Sequence, residues 1–241
     1  MATKIPWANE TWNPITGCSP VSAGCKNCYA RRMAQRLKGR YGYPADEPFR
    51  VTFHPDRLEK PAEWKKPRLV FPCSMGDLFH PDVRDEWIDQ VFTMMTHPMS
   101  GASHHTYPIL TKRPERILEC GNFYPWPNIW VGVSVENQHS VHRILTLRKI
   151  PAAVRFVSYE PALGYLDSLP SWLGWIDWVI AGCESGSGRR PASIEYFRSM
   201  RDRCVEHGVP FFLKQMDVAG KVREMPELDG RVWDQYPEMK R

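Results

Sequence analysis

The positions of apolar residues along the chain predict a succession of short buried strands separated by helices. Most apolar runs are nearly continuous, as in Ile129–Ser134 (IWVGVS), and strands of a parallel sheet that is covered on both faces show this pattern. Between the runs, apolar residues recur every three to four positions, which is typical of helices. The predicted strands are Arg50–His54, Arg68–Cys73, Tyr107–Thr111, Ile129–Ser134, Val154–Ser158, Trp178–Ala181 and Val209–Leu213.

The helical segments alternate with these strands. The last one has a serine at its start and Gly208 at its end, which are common helix boundaries. Repeated βα units with right-handed crossovers predict an α/β fold, namely a partial or full TIM-like (β/α) barrel, with an open doubly wound sheet as the alternative. Residues 1–216 would form the barrel and residues 217–241 a C-terminal extension packed on it. The predicted helices are Ala30–Leu37, Asp82–His97, Gln138–Ile150 and Ser193–His207.

Composition narrows the class of protein. The 241 residues are 42% hydrophobic, enough for one core. The 32 lysines and arginines exceed the 27 aspartates and glutamates by five, which permits an anionic partner without requiring one. The N-terminus lacks an apolar leader, and no apolar run is long enough to span a membrane. We therefore expect a cytoplasmic protein without a membrane partner, whose seven cysteines are thiols or metal ligands.

Three cysteines lie close together in the loop formed by residues 17–29. Cys18, Cys25 and Cys28 are separated by six and by two residues. Thiolates at such spacing bind soft metals or iron–sulfur clusters, and three of them leave one iron of a [4Fe–4S] cluster open to another ligand. A zinc ion with a distant fourth ligand and thiols without a metal are the alternatives; the nearest histidine is His54.

Polar and thiol side chains follow most of the predicted strands directly. The carboxyl ends of parallel strands meet at one edge, where ligand sites form, so we expect these side chains to make a ring around a functional site. The alternative is that they only mark the starts of loops. The ring consists of Cys73, Ser74, Asp77, Lys112, Arg113, Ser134, Glu136, Asn137, Ser158, Glu160, Cys183, Glu184, Ser185, Lys214 and Gln215.

Seven sequence blocks, taken together, resemble a phage-associated radical-SAM-like family with a Cx6CxxC motif, whose members are commonly described as phage proteins of unknown function. The resemblance implies a barrel of the radical-SAM type, a [4Fe–4S] cluster on Cys18, Cys25 and Cys28, and S-adenosyl-L-methionine as cofactor. An external electron donor of the flavodoxin or ferredoxin type would reduce the cluster. The loop departs from the Cx3CxxC spacing that is commonest among radical-SAM enzymes. The blocks are TWNPITGCSPVSAGCKNCYA, CSMGDLFHPDV, LTKRPER, WVGVSVENQ, RFVSYEPALG, AGCESGSGRRP and VPFFLKQ.

The resemblance also suggests roles for the ring residues. Either Cys73 or Cys183 could donate a hydrogen atom to a radical, although packing as a small buried hydrophobe is the favoured role for both. The candidate catalytic residues are Cys73, Cys183, Glu160, Glu184 and Lys214. The candidate cofactor-binding residues are Tyr29, Ser74, Asp77, Lys112, Ser134, Glu136, Asn137 and Ser158.

The substrate that the resemblance implies is a nucleobase. Some relatives are connected with hypermodification of phage DNA, in which an amino-acid adduct of thymine would be isomerised. A free nucleotide, a peptide or a pyrimidine lesion is the alternative substrate for the same chemistry. A non-catalytic DNA-binding module with structural zinc is the alternative of a different class. Arg189 and Arg190 could contact phosphates, and Trp126, Trp172 and Trp175 could stack on bases.

Overall fold

The computed structural model describes residue 3 and residues 5–120, 124–166 and 172–238. The strands are β1 (Glu10–Trp12), β2 (Ile15–Thr16), β3 (Thr52–Phe53), β4 (Val70–Pro72), β5 (Tyr107–Thr111), β6 (Ile129–Ser134), β7 (Val154–Tyr159), β8 (Trp178–Gly182), β9 (Phe211–Val218), β10 (Lys221–Glu224), β11 (Glu227–Leu228) and β12 (Arg231–Val232). The α-helices are α1 (Tyr29–Arg36), α2 (Asp85–Thr96), α3 (Pro114–Glu119), α4 (His142–Leu147) and α5 (Ile194–Glu206).

Six strands form the central sheet in the order β10-β9-β8-β7-β6-β5. Strands β5 to β9 are parallel, each beside the next strand in sequence, and β10 turns back antiparallel on β9. Every residue of β6 and β8 is buried. Both faces of these strands are covered, which explains why their sequences are apolar throughout rather than alternating.

The N-terminal part of the chain extends this sheet at its β5 edge. Strands β1 and β4 pair in parallel, and a single parallel bridge joins Leu69, just before β4, to Thr106, just before β5. Strands β2 and β3 form a separate two-stranded antiparallel ladder. The segment that contains the cysteine loop lies between β2 and β3, so the loop is anchored near the start of the sheet.

The prediction of a TIM-like (β/α) barrel of the radical-SAM type is wrong. The described residues form a curled, mixed, six-stranded sheet that remains open, a half-barrel. Beyond β9 the next strand is the antiparallel β10, and the predicted strand Arg50–His54 contains only the two-residue β3, which pairs with β2. The order β5 to β9 has no reversal, so the doubly wound alternative is not found either. Whether a sheet closes into a barrel depends on the stagger between neighbouring strands, and the spacing of apolar runs contains no information on that stagger.

Alternate residues of the strands enter two cores on opposite faces of the sheet. Val179 belongs to the larger core and its neighbour Ile180 to the smaller one. The smaller core is aromatic and surrounds Trp178, whose ring centroid lies 5.7 Å from that of Phe156 and 6.0 Å from that of Trp7. Trp7 also lines the larger of two adjoining cavities at the carboxyl ends of the strands, so this core forms the floor of that cavity.

The helix predictions agree with the structure more closely than the barrel does. Ala30–Leu37 corresponds to α1 and Ser193–His207 to α5, whose start is capped because the Ser193 hydroxyl accepts a hydrogen bond from the Glu195 backbone N–H at 3.3 Å. The segment Gln138–Ile150 is divided into a 3₁₀ turn and α4. In the described part of the chain, no helix has the length and apolar content needed to cross a membrane.

The C-terminal segment contacts the sheet. The predicted boundary between residues 216 and 217 falls inside β9. Beyond β12, the buried Trp233 packs on Phe211 with ring centroids 6.0 Å apart, and its carbonyl accepts a hydrogen bond from the Leu213 N–H at 2.8 Å. The described part of the tail is therefore bound to the last parallel strand.

Candidate functional site

Two adjoining cavities lie at the carboxyl ends of the central strands. The first encloses about 150 Å³ and the second about 440 Å³. Both are lined by Cys28, Tyr29, Lys112 and Ser134, so they meet along one wall. The second volume falls within the range of about 300–1,000 Å³ that is typical of small-molecule sites.

Most of the predicted ring lines these cavities. The ends of separate parallel strands meet here, as expected for the carboxyl edge of such a sheet. Arg113, Glu136 and Asn137 are the members that line neither cavity; Asn137 instead caps a 3₁₀ turn by accepting a hydrogen bond from the His139 N–H at 3.0 Å. The first cavity is lined by Cys73, Ser74, Asp77, Lys112 and Ser134. The second is lined by Lys112, Ser134, Ser158, Glu160, Cys183, Glu184, Ser185, Lys214 and Gln215.

All three cysteines of the loop line the first cavity, and each is half-buried. The Cys18 N–H donates to the Phe49 carbonyl at 3.1 Å, and Cys28 occupies the N-cap position of α1. Gly17 has a φ of +91°, and a Cβ there would lie 2.2 Å from the Arg50 carbonyl oxygen. Glycine is therefore required at the entry to the loop, where two backbone segments touch.

The loop thiols differ in acidity. Burial and the charge of Asp77 raise the pKa of Cys18 to about 11, although Arg113 acts in the opposite direction. Burial also acts to raise the pKa of Cys25, but hydrogen bonds from the backbone of Val21 and Ser22 and the charge of Lys112 outweigh it, so that pKa is lowered. The surroundings therefore favour the thiolate, the form that binds metals, at Cys25.

A single-ion zinc site and a [4Fe–4S] cluster require different arrangements of their thiolate ligands. In the part of the chain that the structure describes, no three His, Cys, Asp or Glu side chains converge closely enough to hold one metal ion. A tetrahedral zinc site needs its sulfurs about 2.3 Å from a single point. In a [4Fe–4S] cluster each thiolate binds a different iron, so its three thiolates do not have to meet at a single point.

Glu136 lies buried behind the cysteine loop, with 1% of its surface exposed. Its carboxylate pairs with Lys112 and, at 3.0 Å, with Arg143, and it accepts a hydrogen bond from the Ser22 hydroxyl at 2.6 Å. Burial acts to raise the pKa of Glu136, but the charges of Lys112 and Arg143 outweigh it and lower that pKa. A Cβ on Gly24 would lie 2.5 Å from the carboxylate, so the loop packs directly on it.

Arg113 connects Asp77 to the first cysteine. Its guanidinium donates to the Asp77 carboxylate at 3.1 Å, to the Cys18 Sγ at 3.3 Å and to the Ser19 carbonyl at 2.8 Å. Asp77 also accepts a hydrogen bond from the Thr111 hydroxyl at 2.7 Å. The predicted cofactor-binding carboxylate of Asp77 is thus engaged with the protein itself, where it orients Arg113 against the loop.

Arg113→Lys tests this connection. Lysine keeps the charge beside Asp77 but cannot reproduce the planar fork that reaches the aspartate, Cys18 and Ser19 together. We expect the free energy of unfolding in urea to fall by about 1–2 kcal/mol. Arg36 is exposed and has no carboxylate partner among the described residues. The control Arg36→Lys should therefore leave the free energy of unfolding unchanged. Equal stability of the two variants would contradict the proposed role of Arg113.

Glu184 joins the cysteine loop to the loop formed by residues 183–190. Its buried carboxylate accepts a hydrogen bond from Asn27 Nδ2 at 2.7 Å and pairs with Arg190. Arg190 donates in turn to the Ala23 carbonyl at 2.9 Å, and Arg32 donates to the Ser185 carbonyl at 2.7 Å. Two loops far apart in sequence are therefore held against each other across the mouth of the second cavity.

The Glu184 connection should be sensitive to acid. Burial acts to raise the pKa of Glu184, but hydrogen bonds from Arg190 and Asn27 outweigh it and lower the pKa to about 2. Because the folded-state pKa is below the unfolded one, the stabilisation is present above about pH 4.5 and is lost as the pH falls towards 2.

Glu184→Gln should therefore lower the free energy of unfolding by about 1–3 kcal/mol at pH 6, with the difference shrinking towards pH 2. Urea unfolding at several pH values measures this difference. The exposed Glu206→Gln is the matched control and should show no such pH-dependent difference. If the free energy of unfolding of Glu184→Gln were lower than that of the wild type by the same amount at every pH, the stabilisation would not come from the ionised carboxylate.

A β-bulge places two consecutive residues of β9 in the second cavity. The register between β8 and β9 pairs Ala181 with Leu213 but Gly182 with Gln215, so Lys214 is the extra residue. In a regular strand Lys214 and Gln215 would point to opposite faces, whereas here both line the cavity. Lys214 Nζ lies 2.8 Å from a carboxylate oxygen of Glu160, whose other oxygen accepts a hydrogen bond from the Ser158 hydroxyl at 3.2 Å.

The two strand-end cysteines are both buried. Cys73 lies on the wall of the first cavity in the left-handed region with φ of +54°, and its thiol receives a hydrogen bond from the Ile15 backbone. Cys183 lines the second cavity, and burial together with the charges of Asp217 and Glu160 raises its pKa to about 11. Burial raises the pKa of Cys73 to about 12. Both are therefore neutral thiols at neutral pH.

Tyr29 and Ser74 are tied together at the rim of the first cavity. The Tyr29 hydroxyl donates to the Ser74 carbonyl, while 47% of the tyrosine surface remains exposed. The Asn13 side-chain oxygen accepts hydrogen bonds from the Ser74 hydroxyl at 3.2 Å and from the Met75 N–H at 2.8 Å. Asn13 therefore shapes the turn that presents Ser74 to the cavity.

Several contacts that hold the ring residues were not predicted from the sequence. Arg113 belongs to the predicted ring, but its contacts with Asp77 and Cys18 were not predicted. For Arg143, Ser22 and Asn27 no sequence signal indicates the partner. The predicted phosphate-binding pair is engaged in ion pairs, Arg189 with Asp217 at 2.7 Å and Arg190 with Glu184. The predicted base-stacking residues Trp126, Trp172 and Trp175 instead pack in or against the larger core.

Comparison with known proteins shows which family the chain belongs to. None of the curated proteins and none of the solved structures matches it. One family model, described as "Protein of unknown function (DUF5131)", matches residues 2–237, nearly the whole chain. The chain is therefore a member of this family.

Proposed function

We propose that this protein is a radical S-adenosylmethionine enzyme in which Cys18, Cys25 and Cys28 hold a [4Fe–4S] cluster. One observation carries the proposal: the three loop cysteines line one cavity, which adjoins a second cavity of cofactor size. When bound and reduced by an external flavodoxin- or ferredoxin-type donor, the cluster supplies the electron that cleaves S-adenosylmethionine into methionine and a 5′-deoxyadenosyl radical. The protein provides binding, orientation and shielding.

The residues around the two cavities suit the parts of S-adenosylmethionine. Lys112 lies on the shared wall, where its ammonium is suited to a carboxylate, and Glu136 positions it from behind. The side chains of Ser134 and Ser158 are suited to hydrogen-bond ribose hydroxyls. Tyr29 at the rim is suited to pack on an adenine ring. Asp77, Glu136 and Asn137 serve this site as positioning residues, since their side chains are engaged with the protein.

For the substrate we propose a nucleobase, possessing an amino-acid adduct that the reaction isomerises. The sequence resemblance supports this choice. The second cavity adds suitable groups, since it is lined by the carboxylates of Glu160 and Glu184, the ammonium of Lys214 and the amide of Gln215. A base would have to leave its stack, or lie in a single strand, to reach them. Cys183 on the same wall is placed to return a hydrogen atom to a substrate radical, and the thiyl radical left on Cys183 would regain its thiol by taking one electron from the external donor and a proton from solvent.

Anaerobic reconstitution with iron and sulfide tests the proposal. We expect about four iron and four sulfide ions per chain and a brown protein that absorbs broadly near 400 nm. Addition of S-adenosylmethionine should perturb the electron paramagnetic resonance spectrum of the reduced cluster, because one iron is open to a ligand. A colourless protein with one zinc per chain would overturn the proposal and favour a structural zinc module.

A further inference from the structure

The net positive charge of the chain comes from one segment beside the first cavity. Residues 11–45 contain six cationic side chains and no aspartate or glutamate. Removing these six from the 32 lysines and arginines leaves 26 against 27 aspartates and glutamates, so the rest of the chain has no positive excess. We call the six side chains the basic face; they are Lys26, Arg31, Arg32, Arg36, Lys38 and Arg40.

The basic face is directed outward by the packing of α1. Ala30 and Ala34 are buried against Tyr43 and Phe49, so the apolar side of the helix is already covered. Lys26, Arg36, Lys38 and Arg40 are exposed. The cationic side is thus the side that remains free to meet a partner.

Within the described residues, no carboxylate pairs with any member of the basic face. Arg31 lies over the Phe49 ring at 5.6 Å, Arg32 donates to backbone carbonyls of the 183–190 loop, and Arg40 donates to the Arg36 carbonyl. These contacts involve an aromatic ring and neutral carbonyl groups, so they bring no negative charge to the basic face. Arg32 and Arg36 are also four residues apart within α1, an arrangement in which like charges on a helix repel. An anionic partner would remove this repulsion.

The basic face is continuous with the candidate site. Tyr29 and Arg31, at the start of α1, line the first cavity. The helix rises about 1.5 Å per residue, so Arg36 lies roughly 10 Å farther along the surface from Tyr29. Beyond the helix, Tyr41 is 74% exposed. Cations that follow a path away from a cavity rim, with an exposed tyrosine at the far end, match a phosphate backbone with a base available for stacking.

We propose that the basic face binds the phosphate backbone of a polynucleotide, so that the substrate base is presented to the cavities as part of a strand rather than as a free nucleotide. The inference rests on the proposed function and extends its substrate from a base to a strand. An anionic membrane is the other large polyanion to consider. A membrane-binding helix inserts an apolar face, and here Ala30 and Ala34 on that face are buried in the fold.

Salt-dependent binding of the reconstituted full-length protein tests this inference. The probes are a fluorescent single strand of about 20 nucleotides, thymidine monophosphate and vesicles of anionic phospholipid. The variant Arg36→Gln/Lys38→Gln/Arg40→Gln removes three exposed charges. Lys65→Gln/Lys66→Gln/Lys149→Gln removes three exposed charges outside the basic face and is the control.

We expect the wild type to bind the strand far more tightly than the mononucleotide. For the basic-face variant, the slope of log K against log salt should decrease by about 2 and affinity at about 0.1 M salt should fall roughly 10- to 100-fold. The control should keep the wild-type slope. Equal losses in both variants, equal binding of strand and mononucleotide, or preference for the vesicles would each overturn the inference.

The same samples separate this inference from the proposed function. The basic-face variant should retain the wild-type iron content and cleavage of S-adenosylmethionine, because its three substituted residues line neither cavity. If the wild type binds no cluster, the proposed function fails whatever the strand-binding result. If the cluster is present but the two triple variants bind the strand alike, only the assignment of the basic face fails.

Discussion

Cys25→Ala should abolish cluster binding while leaving a folded protein. A [4Fe–4S] cluster that depends on three thiolates loses a third of its protein ligands, and the iron content should fall from about four per chain to near zero. The fold should survive, because Cys25 is only half-buried and its thiol contacts its own loop, namely the Ser22 hydroxyl at 3.7 Å and the backbone of Val21 and Ser22. We expect the free energy of unfolding of the cluster-free protein to change by less than about 1 kcal/mol.

Cys120→Ala is the matched control for this experiment. Cys120 is also half-buried but lines neither cavity. It should bind a full complement of iron under identical anaerobic reconstitution. Full iron loading of Cys25→Ala, or equal loss in both variants, would contradict the assignment of the loop cysteines as ligands.

Glu136→Gln should destabilise the protein by about 3–5 kcal/mol, because it removes one partner of a buried charge cluster. The amide matches the carboxylate in size but leaves the charges of Lys112 and Arg143 without a counterion, and Arg143 is 3% exposed. Urea unfolding of the cluster-free protein measures this loss directly. The Ser22 contact and the packing on Gly24 should weaken with it, so cluster loading should also decrease.

The exposed Glu206→Gln removes the same charge far from the cavities, and its free energy of unfolding should stay within about 0.5 kcal/mol of the wild type. A loss below about 1 kcal/mol for Glu136→Gln would show that Lys112 and Arg143 do not need this counterion.

The sequence predicted the ring better than the architecture that holds it. Lys112, Ser134 and Glu160 were found because parallel strands place the residues that follow them at one edge, and this local rule holds for a half-barrel as it does for a closed barrel. Whether the sheet closes depends on stagger and on the last strand. The chain turns back after Val218 to form β10, and a few polar residues in the tail did not reveal that turn.

The partners of the ring residues were beyond prediction for a physical reason. Glu136 is held by Arg143 and contacts Ser22, which is 114 positions away in sequence, and a pattern of local periodicity contains no information on such pairs. The bulge at Lys214 is equally hidden, since strict alternation would have placed Lys214 and Gln215 on opposite faces. Gly24 lies beside cysteines that indicated a loop in the sequence. Only the structure shows that the Glu136 carboxylate leaves no room for a side chain at this position.

Formation of 5′-deoxyadenosine is the decisive test of the proposed radical chemistry. Reconstituted wild-type protein is reduced anaerobically in the presence of S-adenosylmethionine, and the products are separated by chromatography and mass spectrometry, with Cys25→Ala processed in parallel. We expect 5′-deoxyadenosine and methionine from the wild type and none above background from the variant. A wild type that holds a full cluster yet yields no 5′-deoxyadenosine, with or without an oligonucleotide, would contradict it.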